Sequence, residues 1–275
     1  MSALEHIEER YLRRGNKYLR LIINHSQGHM RFMDFRVGNY PEKREALDEL
    51  AKTMHLRKVF TLVEKQDSNN WRSVGFSREG VYPSFFRMAD AYAMSRLYDV
   101  SGQPVPASAT LKAQTDEQTS FTTRKFEKPE GLRIELLQDE QSRSSVFSGL
   151  NGQLQALPFG RTAAPDIVLR ATARKKEGWV VAEIDESYGH ATLGFAPPPS
   201  EEADLALSAF AGHSLFSTLR EKHVNNVFGL SRAHATWSNE LFAGLGFKVT
   251  GRLADHLRTP DGYALTLIWH RRLTN

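Results

Sequence analysis

Glu183 and Asp185, two carboxylates two residues apart, are the first residues here that could do chemistry. On an extended strand, positions i and i+2 share a face with about 7 Å between their Cα atoms. A carboxylate pair at that spacing can hold an ammonium group or relay its proton through water. The alternation Trp179, Val181, Glu183, Asp185 within the run Trp179–Glu186 supplies such a strand. The same pattern suits a solvated strand face, so the pair is a candidate site. His190, His234 and His256 stand alone and read as surface or satisfied core residues. The chain has no Gly-x-x-x-x-Gly-Lys-Ser/Thr loop, no Gly-x-Ser-x-Gly elbow and no paired-histidine metal spacing. With zero cysteines, disulfides, thiolate metal sites and a cysteine nucleophile are excluded, which agrees with a reducing, cytoplasmic setting.

The elements that must position these carboxylates follow from turn signals. Three evenly spaced runs, 166–174, 179–186 and 190–196, are separated by Glu177-Gly178 and Tyr188-Gly189, which suit tight hairpins. A strand over 132–137 and a helix over 139–154, interrupted near Gly149, precede them. A helix over 203–223 places Leu207, Phe210, Ala211, Leu215 and Leu219 on its buried side. A buried strand (226–231), a helix ending at Gly246 and a closing hairpin (248–257 and 263–271) complete the order β α β β β α β α β β.

The chain also repeats itself. Gly75-Phe76, Gly80, Asp90, Tyr92 and Ala93 recur as Gly246-Phe247, Gly251, Asp261, Tyr263 and Ala264, all at an offset of 171. Upstream, Val59-Phe60-Thr61-Leu62 answers Val227-Phe228-Gly229-Leu230 at an offset of 168. The segment 99–123 is rich in Ser, Thr, Gln and Pro and reads as a linker. This predicts an incomplete copy over 1–98 and a fuller one over 124–275. The run Arg10, Arg13, Arg14, Lys17 and Arg20 reads as a solvated helix face.

At 275 residues, 40% hydrophobic and 25% charged, the composition is that of a globular protein, and no apolar run is long enough to span a membrane. A net charge of +4, spread along the chain, gives no nucleic-acid footprint, so nucleic acid is not an expected partner.

A helix ending in Leu-Gly-Phe ahead of a closing hairpin, in this element order, resembles the GNAT superfamily of acyl-CoA-dependent N-acyltransferases. Two stretches, GFSREGVYPSFFRMADAYAMSRLYD and SRAHATWSNELFAGLGFKVTGRL, are closest to β-lysine N-acetyltransferases. The resemblance implies an α/β (α+β) fold, a mixed central sheet flanked by helices in two GNAT-like copies, with acetyl-CoA as cofactor and a small amine as substrate. It implies that the strand 190–196 splays from its neighbour, with Leu193 and Gly194 beside the thioester and Asn239 near the pantetheine arm. The family's Arg/Gln-x-x-Gly-x-Gly/Ala pyrophosphate loop is replaced by Pro197-Pro198-Pro199-Ser200-Glu201-Glu202. The only remaining place for a phosphate cradle is a helix restarting at Ala211, Gly212, His213 and Ser214. Phe242 stands where many members have a tyrosine acid and reads as core, as does its counterpart Trp71. Two readings stay open: acyl transfer to a small amine, with Glu183 and Asp185 handling the amine proton, or a catalytically silent GNAT fold that binds a protein partner.

Overall fold

The structure, a computed structural model, describes residues 7–14, 17–107, 109, 121, 123–149 and 165–273. Much of the expected linker and the end of the helix expected over 139–154 lie outside the described residues. The chain forms two compact units, Met1–Gln118 with Gly251–Thr266, and Thr119–Thr250 with Leu267–Asn275.

The first unit runs β1 (Ile7–Arg14), β2 (Lys17–Asn24), β3 (His29–Asp34), α1 (Tyr40–Thr53), β4 (Lys58–Val63), α2 (Lys65–Ser73), β5 (Ser77–Phe86) and β6 (Ala89–Leu97). It also takes Gly251–Thr266 from β12 (Lys248–Thr259) and β13 (Gly262–Arg272). Its strands lie in the order β1-β2-β3-β4-β6-β5-β12. Only β3 and β4 pair in parallel, because α1 carries the chain across between them. Leu19, Leu21 and Ile23 alternate inward along β2 onto Leu47 and Ala51 of α1, Trp71 of α2, and Phe32 and Phe76.

The basic run near the N-terminus is a β-hairpin, not the expected helix face: β1 and β2 pair from Ile7↔Asn24 to Arg14↔Lys17. The physical reason is a period of two. Leu12 packs against the core while Tyr11 and Arg13 are exposed, and Arg20 opposes Tyr11 and donates to both oxygens of Glu9 at 2.8 Å.

The second unit runs β7 (Arg133–Leu136), α3 (Glu140–Gly149), β8 (Ile167–Ala173), β9 (Lys176–Asp185), β10 (His190–Ala196), α4 (Glu202–Glu221), β11 (Asn226–Arg232) and α5 (Thr236–Gly244), then the flanks of β12 and β13. The strand order is β13-β11-β10-β9-β8-β7. This is the α+β arrangement expected from the sequence. Its core gathers Val180 and Ala182 of β9, Leu205, Leu215 and Phe216 of α4, and Leu241 and Phe242 of α5.

Two pairs of residues 171 apart share a backbone conformation. Gly75 and Gly246 follow nine-residue helices with φ of 92° and 79°, the left-handed stop that glycine makes at no steric cost. Ser84 and Asp255, also 171 apart, share a left-handed backbone with φ of 50° and 47°. Within the first unit, Gly80 of β5 and Gly251 of β12 are Cα partners in an antiparallel ladder.

Candidate functional site

Every residue of β10 is buried, which matches its run of small and apolar side chains in the interior of a sheet. It pairs antiparallel with β9 along its whole length, from His190↔Asp185 to Ala196↔Trp179. Toward β11 the parallel ladder ends after four residues, at Leu193↔Gly229. Beyond it, Gly194–Ala196 and Leu230–Arg232 diverge, and the opening is lined by Gly194, Phe195, Pro198, Pro199, Leu230, Ser238, Leu241 and Phe242. The cavity there is only about 10 Å³.

Aromatic rings close it. Phe242 stacks on Trp269 (centroids 5.5 Å apart, 11° between planes) and meets Phe195 edge-on at 5.8 Å. Gly229 makes room for that ring, because a Cβ there would lie 2.4 Å from Phe242 Cε1. Phe242 is therefore packed in the core.

Beside the opening runs a buried polar chain. The Trp269 indole N–H donates to Ser231 Oγ (2.6 Å), the Ser231 hydroxyl donates to Asn239 Oδ1 (2.5 Å), and Asn239 Nδ2 donates to the Ala233 carbonyl (2.8 Å). Asn239 is thus held in place by bonds that also stabilise the fold. Asn239→Ala should cost about 1–3 kcal/mol in urea unfolding, since it strands buried partners at both ends.

Glu183 is buried at 3% exposure and lies opposite Thr192, two residues before Gly194. It does not line a solvated face, as the simpler reading of alternation would have it. Asp185 lies at the end of the same strand, where Oδ1 accepts the Tyr188 N–H (3.3 Å) and its carbonyl accepts those of Tyr188 and Gly189. The two carboxylates share a strand face in different settings, one interior and one in a turn. His190 stacks on Tyr188 at 6.1 Å and meets Phe228 edge-on at 5.6 Å.

The phosphate cradle is corrected. Helix α4 is continuous from Glu202 to Glu221, so Ala211, Gly212, His213 and Ser214 sit mid-helix, where backbone N–H groups serve the helix itself. Gly212 is a packing glycine: a Cβ there would meet Leu245 at 3.0 Å. The true N-terminus of α4 already carries negative charge. Lys176 pairs with Glu201 and, at 2.6 Å, with Asp204. Burial works to raise the Asp204 carboxyl, yet hydrogen bonds from Lys176 and Ser200 hold it below its ordinary value.

The sequence reading missed two groups of residues. Phe195, Leu230, Ser238 and Leu241 line the opening but are indistinguishable from core residues in a sequence. The first unit holds a buried ion pair, Lys58 Nζ to Glu79 Oε2 at 2.6 Å, with Lys58 also donating to the Ala254 carbonyl (2.7 Å). Two histidines adjoin it. His29 and His256 lie 5.0 Å apart, and His29 Nε2 donates to the Asp255 carbonyl (3.1 Å). Burial first, and then the Lys58 charge, lowers both imidazoles, His29 to about 3. Among the described residues no group of three or more acidic or histidine side chains could hold a metal, and no helix is long and apolar enough to cross a membrane.

No known protein-family profile and no curated protein matches this chain. Solved structures similar to it include the ribosomal-protein-S18-alanine N-acetyltransferase from Escherichia coli, 15% identical, covering 52% of this chain and 95% of that one with a TM-score of 0.39. A protein from Salmonella typhimurium, named as an acetyltransferase and solved with its cofactor acetyl-CoA, is 12% identical over 52% of this chain and 95% of its own, with a TM-score of 0.40. An N-acetyltransferase from Staphylococcus aureus Mu50 is 13% identical over 52% and 99%, with a TM-score of 0.38.

Proposed function

We propose that the second unit is an acyl-CoA-dependent N-acyltransferase that uses the opening between β10 and β11 as its donor site. One observation carries the reading: two parallel neighbours in the sheet pair as far as Leu193↔Gly229 and then part. Backbone groups freed in this way can pair with the amides of a pantetheine arm, as an added strand would. Acetyl-CoA bound there would supply the acyl group as an activated thioester. A strand N–H at Leu193 or Gly194 stabilises charge on the carbonyl oxygen as the amine nitrogen bonds to its carbon and the carbon–sulfur bond breaks. Glu183, one strand over and two residues back along the ladder, takes the proton lost by the amine, directly or through water. Asn239 and Ser231 hold the edge of the opening rigid.

The diphosphate of CoA fits less well. The first turn of α4 presents Glu202 and Asp204, with Lys176 already engaged. A helix start that satisfies its own dipole with carboxylates repels an anion. Most of the affinity then comes from the pantetheine arm. By calorimetry, acetyl-CoA should bind with micromolar affinity, and S-acetylpantetheine within about tenfold of it, where a working phosphate cradle would separate them by more. A second reading, a catalytically silent fold that binds a protein, is favoured by the small volume of the opening. Absence of heat from both ligands at millimolar concentration would end the first reading.

A further inference from the structure

β1 is the outermost strand of the first unit: β2 lies on one side of it, and among the described residues no strand pairs with the other side. An unpaired strand edge offers a row of backbone N–H and C=O groups, and natural edges are commonly blunted by proline, lysine, a bulge or shortness. β1 has none of these. It runs eight residues, Ile7–Arg14, contains neither proline nor lysine, and keeps one register with β2 from end to end.

The bonding of β2 shows which residues of β1 face outward. The Phe35 N–H donates to the Tyr18 carbonyl at 3.2 Å, so the backbone of Tyr18 is turned toward β3. Arg13, opposite Tyr18 on β1, therefore makes no ladder bond to it, and by alternation the N–H and C=O groups of Glu9, Tyr11 and Arg13 point away from β2. The same three residues share one side-chain face, opposite to Leu12. Tyr11, 50% exposed, ends a row of rings that starts at Phe35, 54% exposed, and passes through Tyr18, with centroids 5.2 and 6.4 Å apart. Arg13 lies 4.9 Å over Tyr18 and 5.5 Å over Tyr11, donates to the Tyr18 hydroxyl (3.2 Å), and meets no carboxylate among the described residues. Glu9 accepts one bond from Arg20 on each oxygen, which leaves a further lone pair on each.

We propose that β1 is a self-pairing edge: two copies of the chain join antiparallel through it, about a two-fold axis at Tyr11. Ladder bonds form only in registers that oppose outward-facing residues, and the register centred on Tyr11 is the one that matches charge. It sets Glu9 of each copy opposite Arg13 of the other and Tyr11 opposite Tyr11, in hydrogen-bonded pairs with Cα atoms about 5.5 Å apart. Opposite charges and aromatic rings placed directly across a ladder attract. The sequence is symmetric about the same point, with Glu8-Glu9 before Tyr11 and Arg13-Arg14 after it. A shift by two residues in either direction separates Glu9 from Arg13 and sets Tyr11 against a charge. The contact is a single eight-residue edge, smaller than a standard interface, so the dimer is weak, with a dissociation constant on the order of 10–100 μM.

Sedimentation equilibrium of the full chain, from about 5 to 500 μM, should show a monomer in exchange with a dimer. Glu9→Arg sets like charges across the ladder at both ends, as does Arg13→Glu, and each alone should weaken self-association about tenfold or more. Mixed in equal amounts, the two variants should join each other about as tightly as wild type joins itself, because each supplies the charge that the other lacks. Mixing cannot repair a hairpin that has merely lost its fold, and circular dichroism of each variant alone checks that both remain folded. Self-association lost in each variant and regained in the mixture supports the pairing. A wild-type chain still monomeric at about 500 μM, a dimer that survives both substitutions, or two folded variants that do not join on mixing would each overturn it.

Discussion

Glu79→Gln should destabilise the protein by about 3–5 kcal/mol, because it leaves the Lys58 ammonium buried without its counter-charge. Both side chains are essentially inaccessible, at 0% and 1% exposure, and the Ala254 carbonyl alone cannot replace a carboxylate. Lys58→Met combined with Glu79→Leu should cost much less than the sum of the single changes, since it removes both desolvated charges together. Urea unfolding of the wild type, Lys58→Met, Glu79→Leu and the double variant tests this, and additive losses would show that the pair is not coupled. The neighbouring histidines add a pH dependence of known sign. His29 is lowered in the fold to about 3 from an ordinary 6.5, by burial and then by Lys58. Between those values the unfolded chain binds a proton that the native state refuses, so stability is complete above about pH 6.5 and falls as acid is added. The slope is about 1.4 kcal/mol per pH unit for each such histidine. His256, lowered for the same first reason and left with a buried Nδ1 that has no hydrogen-bond partner, steepens the loss. His256→Phe should flatten the acid limb of the stability profile, and an unchanged limb would remove the histidine from this account.

Nothing in the sequence marks that cluster, and the geometry explains why. Glu79 sits where the β5–β6 register slips between Arg78 and Gly80, and such a bulge re-aims a side chain that alternation would place elsewhere. Asp255, between Ala254 and His256, has the left-handed backbone of its repeat counterpart Ser84. At the repeat offsets of 168 and 171, Asn226 and Thr250 answer Lys58 and Glu79, so neither charge recurs there.

The interior place of β10 was more legible, because a short, mostly apolar strand after two hairpin turns has few places to go but the sheet interior, whereas its opening toward β11 followed only from the resemblance. The residues that close the opening were not legible, since Phe195 and Leu230 differ from ordinary core only in where the ladder ends. Gly212 misled the reading for a related reason. A glycine within a helical run suggests a break, but here it lets Leu245 approach. The basic residues of β1 and β2 also recur at helical spacing, and only the alternation around Leu12 and the Gly15-Asn16 turn signal favour strands.

Chemistry and packing around the opening separate most clearly at Glu183 and Phe242. If Glu183 receives the amine proton, Glu183→Gln should lower turnover by about a hundredfold or more, since a positioned base contributes about 10²–10⁴ in rate. Acetyl-CoA affinity should hold, and the loss should shrink as pH rises and the free amine no longer needs a base. Asp185→Asn should act differently, because the amide oxygen can still accept the Tyr188 N–H and close the turn. Turnover there should stay within a fewfold of wild type, which would narrow the original pair of carboxylates to one. Phe242→Ala removes a ring that stacks on Trp269 and touches Phe195 and Phe247, so it should cost about 3–5 kcal/mol of stability. It also opens the space between β10 and β11, so at a temperature where the variant remains folded it should still bind acetyl-CoA. A Glu183→Gln protein with wild-type turnover and pH profile would end the proton-transfer role. A Phe242→Ala protein as stable as wild type would mean that the ring is not the wedge that closes the opening.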